Sequence, residues 1–103
     1  MAVNQPKEDA RYGAIALLEV QAMVTAIVGL DAMVKAADVR LIHVEKRLGG
    51  RLVTVVVTGS VSDVTAAAEA GRIAAAAVGS VKLCEVIPRP HPGVMKFLLT
   101  DGQ

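Results

Sequence analysis

The sequence has 103 residues, of which 53% are hydrophobic and 20% charged, and its formal net charge is +1. This charge and the presence of only two aromatic residues disfavour binding to nucleic acids, because such binding relies on basic patches and on rings that stack on bases. A membrane span needs about 20 nearly uninterrupted apolar residues, whereas uncharged stretches such as 52–62 are far shorter, and residues 1–11 lack the apolar core of a signal peptide.

The first part of the chain predicts a strand followed by a helix. Residues 12–20 are a compact apolar run, typical of a strand, and residues 21–37 have apolar side chains at the helical spacings of three and four. This helix carries two neighbouring stripes: Met23, Ile27, Leu30 and Val34 in one, and Val24, Val28, Asp31 and Lys35 in the other. Two stripes on one short helix indicate contacts both with the protein's own sheet and with a neighbour.

A hairpin is predicted next. Its strands, at residues 39–46 and 51–58, are rich in β-branched side chains. Gly49 and Gly50 favour a tight turn between them, because glycine adopts positive φ without strain. Residues 52–57 are apolar on both faces apart from Thr54, which is typical of a central strand.

An alanine-rich helix and a fourth strand complete the pattern. Ser60 and Asp63 have the spacing of a helix N-terminal cap, and the helix is predicted to run to about Val78 and stop at Gly79. Residues 81–87 predict a strand and residues 93–98 a short closing helix. The order β-α-β-β-α-β is that of an α+β ferredoxin-like sandwich in a single domain at residues 12–98. Residues 1–11 are interpreted as a polar N-terminal extension, and residues 99–103 as a C-terminal tail.

Catalytic chemistry has no candidate group of residues in the sequence. His43 and His91 are the only histidines and lie on separate elements, so no metal site is expected. Cys84 is the only cysteine, which excludes an intrachain disulfide and predicts a buried, unreactive thiol. Phosphate-binding glycine loops and activated-serine motifs do not occur. We therefore expect no cofactor and no enzymatic activity.

The apolar content exceeds what one small domain can bury. Ordinary soluble domains have about 45–50% apolar and about 25% charged residues, and a chain of this length buries only about two-thirds of its unfolded surface. With lipid disfavoured, the surplus predicts contacts between identical copies.

Three stretches, at residues 31–37, 44–57 and 86–91, together resemble the bacterial microcompartment shell-protein family. They read Asp-Ala-Met-Val-Lys-Ala-Ala, Val-Glu-Lys followed by a glycine loop and an apolar strand, and Val-Ile-Pro-Arg-Pro-His. The resemblance covers residues 13–98 and implies the BMC fold. It also implies a homohexamer that tiles with other hexamers and other shell proteins into a microcompartment shell in the cytoplasm, around encapsulated enzymes.

The resemblance further implies two functional sites. The hexamer–hexamer edge would include Lys35, Asp38, Arg89 and His91. The central pore, which passes small polar metabolites, would be lined by Arg47, Leu48, Gly49, Gly50 and Arg51. This loop is one residue longer than the common Gly-Ser-Gly type and has an arginine on each side. The two arginines either face the opening, where they would favour anions, or lie on a face of the tile.

Three classes of function follow from these observations. The leading one is a structural shell tile, and Pro88 favours a catabolic, aldehyde-handling compartment over a carboxysome. The second is an oligomeric ligand-binding regulatory module with the ferredoxin-like fold, and the third is a small enzyme with its site between subunits. Fold alone does not separate them.

Overall fold

The computed structural model describes residues 13–100. Four strands and three helices follow one another as β1 (Ala14–Val20), α1 (Met23–Ala36), β2 (Arg40–Arg47), β3 (Leu52–Gly59), α2 (Val61–Ala76), β4 (Val81–Ile87) and α3 (Pro92–Thr100). A 3₁₀ turn, Leu48–Gly50, joins β2 to β3. The predicted N-terminal extension, Tyr12 of the predicted first strand, and residues 101–103 lie outside the described residues.

The strands form one sheet in the order β2-β3-β1-β4, and every neighbouring pair is antiparallel. The predicted α+β ferredoxin-like arrangement is therefore confirmed, and so is the central position of residues 52–57 in β3. Helix α3 continues to Thr100, two residues beyond the predicted closing helix.

The main core lies between the sheet and helices α1 and α2. Alternate side chains of the two central strands point into it, as strand geometry requires; they are Ala14, Ala16, Leu18, Val20, Val53, Val55 and Val57. On the opposite face a smaller cluster forms where Met95 and Leu98 of α3 pack on Ile15 and Val56. The remainder of this second face, which we call the open face, carries the charged side chains discussed below.

Helix α1 buries most fully a face outside both predicted stripes, although Met23 and Leu30 of the first stripe are partly buried against the core. Its buried residues are Thr25, Ala26, Gly29 and Met33. Ile27 and Val34, predicted in one stripe with Met23 and Leu30, are 58% and 44% exposed. The cause is a close helix crossing, in which a Cβ on Gly71 of α2 would lie 2.5 Å from Cγ of Met33 and 3.2 Å from the carbonyl oxygen of Gly29. A glycine occupies position 29 because the two backbones approach one another here.

The ends of α2 confirm one prediction and correct another. The Ser60 hydroxyl oxygen accepts a hydrogen bond from the Asp63 backbone N–H at 3.1 Å, which is the predicted N-terminal cap. The helix ends at Ala76, before the predicted limit at Val78, and Gly79 does not stop it by a positive φ. A side chain at Gly79 would instead collide with Thr25 of α1, so this glycine permits a close packing contact.

Candidate functional site

The two groups of predicted site residues lie at opposite ends of the sheet. Strand β1 begins beside the ends of β3 and β4, where Ala14 pairs with Gly59 and Ile15 with Ile87. Helix α1 and strand β4 also end here. The residues that lie at or just after their C-terminal ends form what we call the edge group: Lys35, Asp38, Arg89 and His91. Residues 47–51, the β2–β3 loop, lie at the other end, where the Arg51 carbonyl accepts the Ala22 N–H at 3.1 Å.

The β2–β3 loop has an unusual backbone. Leu48, Gly49 and Gly50 all have positive φ, at 55°, 68° and 90°. Glycine tolerates this region, whereas for an L-residue such as leucine it costs roughly 1–2 kcal/mol. A Cβ added at Gly49 or Gly50 would meet nothing within 4 Å, so both glycines border open space.

Arg51 holds the turn together. Its side-chain Nε donates to the carbonyl oxygen of Leu48 at 2.9 Å, and its backbone N–H donates to the same oxygen at 3.3 Å. A guanidinium that is bound to its own loop in this way is restrained from reaching across an opening.

Arg47 lies on the open face of the sheet. Its Nε is 3.9 Å from Oε2 of Glu45, whose Oε1 is 3.3 Å from Nε2 of His43. These three residues alternate along β2, so their side chains share one face. Lys46, between them in the chain, borders instead a cavity with Met23 and the two loop glycines. Arg47 therefore lies on the open face of its protomer, whereas Arg51 is bound to the carbonyl of its own loop.

Sequence reasoning did not connect His43, Glu45 and Arg47. The signal was present, because residues two apart in a strand point to the same side. A charged row on one face of β2 therefore follows from the spacing once residues 40–47 are assigned to a strand.

Lys35 and Asp38 of the edge group have polar partners within their own protomer. The Lys35 ammonium pairs with Asp31 at 2.8 Å one helical turn away, and both side chains are largely exposed. The Asp38 N–H donates to Oδ1 of Asp63 at 3.4 Å.

The remaining edge residues follow strand β4, and there Arg89 is exposed. His91 starts α3: its Nδ1 accepts the Gly93 N–H at 2.9 Å and its carbonyl accepts the Val94 N–H at 2.9 Å. His91 thus has a structural role within the protomer besides its predicted role at the edge.

The described residues show neither a metal site nor a reactive thiol. Residues 13–100 contain no group of three side chains able to hold a metal ion, and none of their helices has the length and apolarity to cross a membrane. The Cys84 thiol is partly buried and lies 3.6 Å from the carbonyl oxygen of Ala68. Burial raises its pKa, nearby Arg72 lowers it, and two neighbouring glutamates raise it further. The net rise keeps the thiol protonated and poorly nucleophilic.

Comparison with known families shows which family the chain belongs to. The model of the BMC domain matches residues 14–90, which is most of the chain. The chain belongs to the BMC domain family. The resemblance of the three sequence stretches is thereby confirmed.

Relatives within the BMC family are shell proteins. The chain is 49% identical over 85 residues to the bacterial microcompartment shell protein PduA of Citrobacter freundii, covering 82% of this chain and 90% of that protein. It is 44% identical over 92 residues to the carboxysome shell protein CsoS1A of Hydrogenovibrio crunogenus, covering 87% and 95%. A structural role in the shell of a bacterial microcompartment, inside the cytoplasm, follows from these relatives.

A solved structure supports the BMC fold. The crystal structure of a microcompartment protein from Desulfitobacterium hafniense superposes with a TM-score of 0.74 at 30% sequence identity. The match covers 87% of this chain but only 48% of that protein, so this chain spans about half its length.

Proposed function

We propose that the chain is a non-enzymatic tile of the shell. Six copies form a ring, the β2–β3 loops meet on its axis as a pore for small metabolites, and neighbouring rings meet through the edge group. The placement of the loop and the edge group at opposite ends of the sheet carries this proposal. In a flat ring, residues that line the axis and residues that lie on the rim must occupy opposite ends of each protomer.

The exposed apolar surface supports association of copies. On α1, Val24 is 69% and Ile27 58% exposed, so the outer face of this helix is apolar as well as its inner face. Large apolar side chains are also exposed elsewhere, at Leu41, Val44, Leu48, Val61, Ile73, Val78, Leu83, Ile87, Val94 and Phe97. Single exposed apolar residues are normal, but an outer helix face of this kind is typical of an interface.

The kind of compartment is a finer part of the proposal. The identity to PduA, at 49%, exceeds that to the carboxysome protein CsoS1A, at 44%, and Pro88 points the same way. We therefore favour a catabolic compartment. Encapsulated enzymes and other shell proteins would be the partners, and the chemistry would be carried out by those enzymes.

Electron microscopy of the purified protein tests the proposal. We expect flat hexagonal sheets or tubes from the native chain. Lys35→Ala should keep the ring but lose the sheets, because the lysine would contact the adjoining ring. The matched control is Asp31→Ala, which breaks the same ion pair and keeps the lysine, and it should still form sheets. Sheets from Lys35→Ala as extensive as those of the native protein would refute the edge assignment. A compact oligomer that never tiles and binds one metabolite saturably would favour the regulatory module.

A further inference from the structure

The tip of the β2–β3 loop combines two properties that rarely occur together. Leu48 has a positive φ of 55°, and 63% of its surface is exposed to solvent. The first property carries a conformational cost for leucine, and the second leaves its side chain without the burial that would offset it. Backbone strain at a position with no packing role within its own protomer suggests a functional role for that position.

The charged side chains beside Leu48 are directed elsewhere. Arg51 is hydrogen-bonded to the Leu48 carbonyl, and Arg47 lies towards Glu45 on the open face. Lys46 borders a cavity on the helix side of β2. At its tip the turn therefore presents the exposed aliphatic side chain of Leu48 beside two glycines.

We infer that Leu48 forms an apolar constriction in the pore, which excludes strongly hydrated ions and passes small uncharged solutes. This inference rests on the proposed ring, in which six copies of the turn surround one axis. A narrow ring of aliphatic side chains offers no hydrogen bonds to replace an ion's hydration shell, and water itself withdraws from such a constriction. Small uncharged molecules lose less hydration free energy there than ions do, and so pass more readily.

Ion conductance of the purified rings in planar lipid bilayers, with potassium chloride as the probe, tests this inference. The native ring should conduct weakly. Leu48→Gly and Leu48→Asn should each raise the conductance several-fold, because glycine widens the opening and asparagine lines it with a polar group, while both tolerate positive φ.

A matched control is available on β4. Leu83 is exposed to a similar extent, 58%, but lies on β4, which strand β1 separates from the β2–β3 hairpin. Leu83→Asn should conduct like the native ring. Equal conductance of Leu48→Asn and native rings, or an equal rise with Leu83→Asn, would overturn the inference while leaving the tile intact.

Native mass spectrometry of the same proteins separates the remaining possibilities. Rings of six for both Leu48 variants would support a role at the axis. Loss of the ring in Leu48→Asn alone would show that this leucine packs between subunits, and would overturn the constriction. Absence of a ring in the native protein would refute both the proposed function and the inference that rests on it.

Discussion

Replacing Gly71 by alanine tests the helix crossing on which the fold depends. The new Cβ would lie 2.5 Å from Cγ and 3.0 Å from Sδ of Met33, and 3.2 Å from the carbonyl oxygen of Gly29. At an exposed helical site the same change would stabilise the protein by about 1 kcal/mol. Overpacking of a tight core site costs about 1–3 kcal/mol. The two effects together predict a net loss of about 0–2 kcal/mol in the free energy of unfolding.

Urea unfolding at one fixed protein concentration measures this loss, since association also stabilises the folded state. Ala66→Gly, at an exposed position of the same helix, reports the helix propensity alone and should cost about 1 kcal/mol. Met33→Ala should lower the free energy of unfolding by about 2–5 kcal/mol. In the Met33→Ala background Gly71→Ala should be less destabilising, with a coupling free energy between the two substitutions of about 0.5–3 kcal/mol. A stabilisation of about 1 kcal/mol by Gly71→Ala in the native background would refute the close crossing.

Three further predictions concern single groups. Ser60→Ala should lower the free energy of unfolding by about 1 kcal/mol, because the Asp63 N–H loses its acceptor; an unchanged urea midpoint would contradict the cap. Lys35→Ala should change the stability of the protomer by less than about 0.5 kcal/mol, because its ion pair with Asp31 is exposed; a larger loss in the same titration would mean that the lysine stabilises its own protomer. The Cys84 thiol should react with a disulfide reagent more slowly in the native protein than in urea at the same pH, because burial raises its pKa and so lowers the thiolate fraction; equal rates would contradict this.

The order of elements could be predicted because it depends on local patterns. β-Branched runs, a glycine pair and the Ser60–Asp63 cap each specify a short segment, and strand β4 was predicted with its observed limits, Val81–Ile87. The central position of β3 also followed from its sequence, since a strand covered by other elements on both faces has few polar residues.

The buried face of α1 could not be predicted from the same patterns. Hydrophobic periodicity favours the largest apolar side chains for the core, but at the crossing the space is set by the approach of α2. Gly29 fits there, and the larger Ile27 lies on the outside. The backbone of α2 determines which face of α1 is buried, and the sequence of α1 alone does not specify it.

The orientation of the candidate site residues could not be predicted from the sequence. The resemblance located the loop and the edge residues along the chain, and their roles in the ring stay predictions. Whether an arginine points across the loop or away from it depends on hydrogen bonds such as that from Arg51 to the Leu48 carbonyl, which exists only once the turn has folded. The exposed, strained position of Leu48 likewise becomes evident only from the backbone conformation.

The mass of the native protein in solution, measured by analytical ultracentrifugation over a wide concentration range, tests the central claim most directly. Association through the apolar outer surfaces predicts a species of six copies, with larger assemblies as the concentration rises. A single copy of 10.7 kDa that persists up to millimolar concentration would contradict the account.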